Sequence, residues 1–175
     1  MKNKSYGQTT EYNVYLGGGE PLGVATVELP NFESVSETLS GAGLGGEVEA
    51  AVTGLFKPMS CKLTFNKKTS NYAKLLTPVG HELDLRASVQ GLNSESGAYE
   101  HDPERIALRT LPKKFTLGKF EVGKAQENEV EFEIVYVKLI VNGEEYLEFD
   151  KFNYIFVVDG TDYMSDIRRN IGMES

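Results

Sequence analysis

Tryptophan is absent from these 175 residues, cysteine occurs once and histidine twice. The lone Cys61 rules out an internal disulfide, and no Cys/His cluster suggests a zinc site. Long apolar runs are also missing: the longest are a few residues, against the roughly 20 that a membrane-spanning helix needs. The opening MKNKSYGQTTEYNVYL has no apolar core of the length a signal peptide requires. These absences fit a cytosolic product of a reducing compartment. Basic charge is the scarcer sign, with 18 Lys and Arg against 26 Asp and Glu and a net charge of −8. Affinity for phosphates comes largely from Lys and Arg displacing counterions, so ordinary nucleic-acid binding is disfavoured.

Signatures of catalysis are equally sparse. Gly41, Gly43 and Gly46 match the spacing GxGxxG, but no hydrophobic strand feeds the motif and residues 48–54 do not read as a helix. No phosphate loop with a Gly-Lys-Ser/Thr ending is present, and no Ser or Cys sits in a nucleophile motif. Cys61 falls on the apolar side of an alternating run and reads as core. His101 to Glu104, HDPE, could hold a metal weakly but reads as a polar turn. The expectation is a protein that is not an enzyme and has no cofactor or metal.

Against that background, hydrophobic residues at 40% and charged residues at 25% are ordinary for a soluble globular chain. At this length one domain is expected, burying roughly 70% of the surface that the unfolded chain exposes. Strand signals dominate. Residues 13–17 and 23–29 flank GGGEP and read as a hairpin. PMSCKLTFN alternates Met59, Cys61, Leu63 and Phe65 with polar neighbours. In SNYAKLLTP, Ser70 can cap a short helix whose Tyr72, Leu75 and Leu76 share a face before Pro78 stops it. HELDLRASVQ is again strand-like, residues 91–104 read as a polar connection, and RIALRTLPKKFTLGKFEV as one interrupted strand or two. Asn142-Gly143 between two long apolar runs predicts a hairpin over 127–158, with arms of about 15 residues against a usual 5–6.

Three further features bear on function. Residues 36–54 hold five glycines and no aromatic residue, so they have little bulk to offset the entropy of ordering. They read as an arm, spanning 33–54, that orders only against a neighbouring subunit. Glu127, Glu129, Glu131 and Glu133 share one face of a strand and repel one another, so they should face water. The apolar phase of the returning arm shifts after Phe149, which predicts a bulge or bend near Asp150 and Lys151. A basic cluster (Arg105, Arg109, Lys113, Lys114, Lys119 and Lys124) lies next to that acidic row and suits pairing between subunits.

The C-terminal VVDGTDYMSDIRRNIGMES resembles the end of major tail tube proteins of contractile-tailed, P2-like phages. The resemblance continues upstream, in order, through NVYLGGGEPLGVATVELP, SETLSGAGLGG with FKPMSCKLTF, and VYVKLIVNGEEYLEFDKFNYIFVVDG. Residues 91–124 match less clearly. The resemblance implies a mostly β fold, a β-sandwich or half-barrel with one short flanking helix and a long glycine-rich loop. It implies a single tail tube domain over 1–175, with 159–175 as a C-terminal segment. It also implies homo-oligomeric hexameric rings stacked into a tube inside a contractile sheath, with tail sheath, baseplate and tail terminator proteins as partners. DNA would be a non-adhering passenger, no membrane would be involved, and the place of action would be the virion tail after assembly in the host cytoplasm. On this reading the subunit interface takes Ser40, Gly41, Ala42, Gly43, Leu44, Gly45 and Gly46 from the arm. Arg168, Arg169 and Asn170 join it at the C-terminus, the two arginines pairing with carboxylates of a neighbour. Glu129, Glu131 and Glu133 would form an exposed acidic face that could line the lumen. A bacteriocin or other contractile injection particle would use the same tube. A small-molecule-binding β-barrel would need convergent polar groups that the sequence does not supply.

Overall fold

Alternation of apolar and polar residues at a period of two puts most of this chain into strands. The computed structural model describes residues 4–41, 43 and 45–173. Its strands in chain order are β1 (Lys4–Leu16), β2 (Glu20–Pro21), β3 (Thr26–Glu28), β4 (Ser34–Leu39), β5 (Val48–Phe56) and β6 (Ser60–Phe65). After helix α1 (Ser70–Leu75) come β7 (His81–Asn93), β8 (Tyr99–Thr116), β9 (Asn128–Val141), β10 (Glu144–Asp150), β11 (Ile155–Val158) and β12 (Thr161–Asp162). Helix α2 (Ser165–Asn170) follows, a second short helix beside the one that the sequence predicts.

All but β4 and β5 belong to one antiparallel sheet ordered β12-β11-β10-β9-β8-β7-β1-β2. The hub is β9. Its first half pairs with β6 on one edge, Phe132 opposite Cys61, and its second half pairs on that same edge with β10, Val137 opposite Phe149. The sheet therefore forks near Ile134, whose N–H donates to Met59 O at 2.9 Å. One wing carries β6 and β3, the other β10 to β12. Core side chains line the inner face of the fork: Cys61, Leu63, Phe65, Leu83, Leu108, Val130, Phe132, Ile134 and Val137 are all buried. Residues 22–25 bridge from the β1 edge to the β6 wing, with Leu22 N–H on Val14 O at 2.9 Å and Ala25 N–H on Thr64 O at 2.8 Å. That bridge makes a half-barrel which α1 plugs with Tyr72 and Leu75.

Local chemistry explains where elements differ from expectation. The opening hairpin is short: on that side β1 pairs with the two-residue β2, while β3 crosses to β6 and not back along β1. Thr69, and not Ser70, caps α1, its Oγ1 accepting from Tyr72 N–H at 3.2 Å. The polar stretch 91–104 is no loose connection; β7 runs to Asn93 and β8 resumes at Tyr99 with Leu92 opposite it. From Tyr99 to Thr116 there is one strand; its pairing with β9 is irregular at Val135, opposite the Arg109–Thr110 step, and at Lys113, beside Pro112, which has no N–H for a regular ladder.

Within 127–158, Asn142 and Gly143 take the left-handed turn geometry that their hairpin needs, at φ 53° and 81°. The returning arm, however, is not continuous. Residues 151–154 turn, and β11 folds back on β10 with Phe156 opposite Phe149. The phase shift at Asp150 thus marks a reversal. Asp150 builds it, its Oδ1 accepting from Phe152 and Asn153 N–H at 2.9 and 3.0 Å.

The arm at 33–54 is a second correction of the same kind. Its flanks form a two-stranded ribbon, Leu39 opposite Val48 and Ser36 opposite Ala51, so most of the arm is regular strand. Phe56 at its base packs edge-on against Phe32, Phe149 and Phe156 at 5.1–5.4 Å.

Candidate assembly surfaces

The ribbon of β4 and β5 has two unlike faces, because alternate residues point opposite ways. Ser36, Thr38, Glu49 and Ala51 share one face; Val35, Glu37, Leu39, Val48, Ala50 and Val52 share the other. The second face is apolar yet open to solvent, with Leu39 and Val48 each 50% exposed and Val52 43%. An amphipathic ribbon normally buries that face on a core. Here it stands on a fixed base: the aromatic cluster holds one end, and Gly54, at φ 72°, passes so close to Met164 that an added Cβ would lie 2.1 Å from its sulfur. At the other end, Ser40, Gly41, Gly43, Gly45 and Gly46 form an exposed tip, and Ala42 and Leu44 lie outside the described residues. The sequence reading missed this apolar face. Its signal was there, period two in Val35-x-Glu37-x-Leu39 and Val48-x-Ala50-x-Val52, but the glycines dominated the interpretation.

The acidic row sits differently from expectation. Glu127 leaves it, with φ 53° ahead of β9, and pairs with Lys119 at 3.7 Å. Glu129, Glu131 and Glu133 remain on one face of β9 but are only half exposed, because β6 and β8 flank them. Each meets a lysine of its own chain: Lys62 to Glu129 at 3.6 Å, Lys113 to Glu131 at 3.4 Å and Lys151 to Glu133 at 2.6 Å. Met59 N–H also donates to Glu133 at 3.3 Å. The row is therefore a mixed-charge ladder and not a bare acidic stripe.

Further along that face, Asp84 accepts from Arg86 and Arg105, both at 2.7 Å. Burial would raise its pKa, but those two guanidinium hydrogen bonds hold it below the usual carboxylate range. Arg109 donates to Asp150 at 2.7 Å and stacks 4.2 Å over the Tyr136 ring. Burial and a hydrogen bond to Glu148 push the Tyr136 hydroxyl up to about 12. Burial likewise pushes the Cys61 thiol up to about 12, which leaves it inert in the core.

At the C-terminus the two arginines part company. Arg168, only 15% exposed, bonds Asp162 of its own chain at 2.5 Å and the Tyr154 carbonyl at 2.8 Å. Within its own chain Arg168 locks α2 to β12, and its guanidinium lowers the Asp162 pKa. Arg169 is exposed with Asp166 at 2.5 Å, and Asn170 is exposed beside it.

Among the described residues no group of three His, Cys, Asp or Glu is placed to hold a metal, and no helix is long and apolar enough to cross a membrane. What the surface offers is association. A ribbon with an uncovered apolar face, together with the edge of β1 beyond the two-residue strand β2, is the kind of surface that structural subunits present. The phage tail tube protein FII family matches residues 8–172, and the chain belongs to it: it is a structural component of a phage tail tube. It is also similar to the tail tube protein of Escherichia phage P2, 27% identical over 171 residues that cover 92% of this chain and 94% of that protein.

Proposed function

We propose that the chain is the repeating subunit of the inner tube of a contractile tail, assembling as hexameric rings that stack into a conduit for DNA. A tail sheath protein surrounds the tube, and baseplate and tail terminator proteins close its two ends. Assembly takes place in the host cytoplasm and the product resides in the virion tail. The role is mechanical, with no chemistry of its own.

The observation that carries this reading is the uncovered apolar face of the β4–β5 ribbon, in a chain of the tail tube family. Ordering a ribbon costs conformational entropy, and covering Leu39, Val48 and Val52 on a neighbouring copy offsets it. The tip from Ser40 to Gly46 then meets an adjacent protomer or ring, small enough to enter a crowded joint. Arg169 and Asn170 are the C-terminal residues available at such a boundary. Glu129, Glu131 and Glu133 face the lumen on this reading, and DNA passes a ladder of alternating sign. Its failure to adhere rests on the net charge of −8 more than on that row.

Negative-stain imaging of concentrated purified protein tests the proposal. Rings or hollow rods are expected. Dispersed monomers at every concentration and ionic strength would overturn it.

A further inference from the structure

The ladder of the β4–β5 ribbon breaks just above its base. Ser34 faces Phe56 and Ser36 faces Ala51, so residues 52–55 bulge opposite Val35 alone. Below the break Lys57 N–H donates to Glu33 O at 2.8 Å, and Phe56 packs in the aromatic cluster. Above it Glu37, Thr38 and Leu39 pair with Ala50, Glu49 and Val48. An irregular joint containing Gly54, at φ 72°, thus separates the outer ribbon from its anchored base. Such a joint takes up backbone rotation at little cost, because glycine has no Cβ to clash. Beside it lies an open cleft of about 210 Å³, walled by Leu55, Phe56, Phe149, Lys151, Tyr154 and Met164, which leaves a loose joint room to move.

One side chain stops that motion. The end of Met164 lies across Gly54, with Sδ, Cε and Cγ at 2.1, 3.0 and 3.1 Å from where a Cβ would stand, and Met164 is buried. As the N-cap of α2, Met164 is itself held from both sides. Its N–H donates to Asp162 Oδ1 at 2.9 Å, and its carbonyl accepts from Arg168 N–H at 2.9 Å. The Arg168 guanidinium completes the clasp: Nη2 bonds Asp162 Oδ2 at 2.5 Å, and Nη1 reaches across to the Tyr154 carbonyl at 2.8 Å. Tyr154 takes φ 52°, a left-handed conformation that a bulky side chain adopts only where its surroundings impose it. One guanidinium therefore ties the turn at 151–154, a wall of the cleft, to the segment that carries Met164.

We infer that Arg168 and Met164 are positioning residues for assembly: the C-terminal clasp holds Met164 in the ribbon's joint and so fixes the direction in which the apolar face of β4–β5 points. The inference rests on the tube reading only for its consequence in assembly; the direction itself is a property of the single subunit. A ribbon free to swing presents its face correctly for a fraction of the time, and the apparent affinity falls by that fraction. Holding it still removes the loss without adding any contact between copies.

The test reads direction and assembly separately. Cys61 is buried and its thiol is pushed up to about 12, so nitroxide labels attach selectively at two introduced cysteines. These are Thr38→Cys on the ribbon and Glu144→Cys at the start of β10, both at exposed positions. Electron–electron double resonance on the dissociated subunit should give one narrow distance distribution. Arg168→Ala and Met164→Ala should each broaden it roughly twofold or more, as a freed hinge does. Met164→Leu refills the joint with similar volume and should keep it narrow. Arg169→Ala, whose guanidinium bonds Asp166 within α2, should also leave it narrow. Without labels, the two alanine variants should need roughly tenfold more protein to form rods, the figure for a ribbon that points correctly about a tenth of the time. Far-ultraviolet circular dichroism and thermal melting verify that each variant folds. Parental distances in both alanine variants, or broadened distances with rods at the parental concentration, would overturn the inference and leave the tube reading intact. Parent protein that never forms rods would overturn the tube reading, and the distance distributions would still decide whether the clasp sets the ribbon.

Discussion

The β4–β5 ribbon and the centre of β9 are written in the same alphabet and come to opposite ends. Both alternate apolar and polar residues at a period of two. In β9, Val130, Phe132 and Ile134 are buried to within 1% of their surface, and the intervening glutamates each find a lysine. In the ribbon, Val35, Leu39, Val48 and Val52 stay in solvent although their alternation is as regular. Pattern is not what separates them; neighbours are. β9 has partner strands on both edges and a fork of the sheet closing over its inner face, whereas the ribbon pairs only with itself. Burial inside a chain and burial between chains write the same sequence signal, and only the fold shows which has been satisfied.

The sharpest way to break the comparison is to cut the same kind of residue from each side. Phe132→Ala removes a fully buried ring and should cost about 3–5 kcal/mol in urea unfolding of the dissociated subunit. Next in size is the reversal at 151–154. Asp150→Ala leaves Arg109 without its carboxylate and two turn N–H groups without an acceptor, for about 3 kcal/mol. Burial alone would raise the Asp150 pKa, but the side-chain and backbone bonds from Asn153, that from Phe152 and the charge of Arg109 outweigh it and hold it low. A carboxylate depressed in the folded state stabilises above its unfolded pKa, and that stabilisation is lost as pH falls through the folded value. Asp84 and Asp162 are depressed too, so stability should fall off below about pH 4, less steeply in Asp150→Ala. An unchanged acid limb in the variant would mean that Asp150 does not hold that turn.

A smaller effect is expected where the two regions join. Gly54→Ala must accept a left-handed backbone and a Cβ driven into the Met164 sulfur, about 2 kcal/mol together. The double variant with Met164→Ala should recover the steric part alone, seen as coupling in a double-mutant cycle. Strict additivity would show that the ribbon base can shift freely, contrary to its fixed footing on the aromatic cluster.

How much of this was legible beforehand follows from the same contrast. β6 was plain from Met59, Cys61, Leu63 and Phe65 because each buries on the core, and the turn at Asn142-Gly143 because its chemistry is local. The break after Asp150 showed as a change of phase, but not as a strand reversal, since the sequence does not say which strand Phe156 will face. Between residues 91 and 104 the pairing of β7 with β8 was invisible: Asn93, Glu100 and Asp102 are polar and only half-buried, so their pairing leaves no apolar periodic trace. The partner that Arg168 has within its own chain was hidden for a related reason. A charge announces that it wants a partner, and only the fold reveals that Asp162, six residues back, is within reach.

The least effect on the subunit should come from the ribbon itself, and that is where it is most telling. Val48→Ser with Val52→Ser replaces two side chains already in solvent, and substitutions of that kind usually shift stability by within about 0.5 kcal/mol each. Urea unfolding of the dissociated variant should therefore overlay that of the parent. If the apolar face is covered by a neighbouring copy, the same two changes remove buried area from every joint in the assembly, and sedimentation should show the rods replaced by free subunits. The two readouts must separate. A variant that unfolds more easily yet assembles normally would place the missing partner inside the chain after all, and the ribbon would then differ from β9 in degree and not in kind.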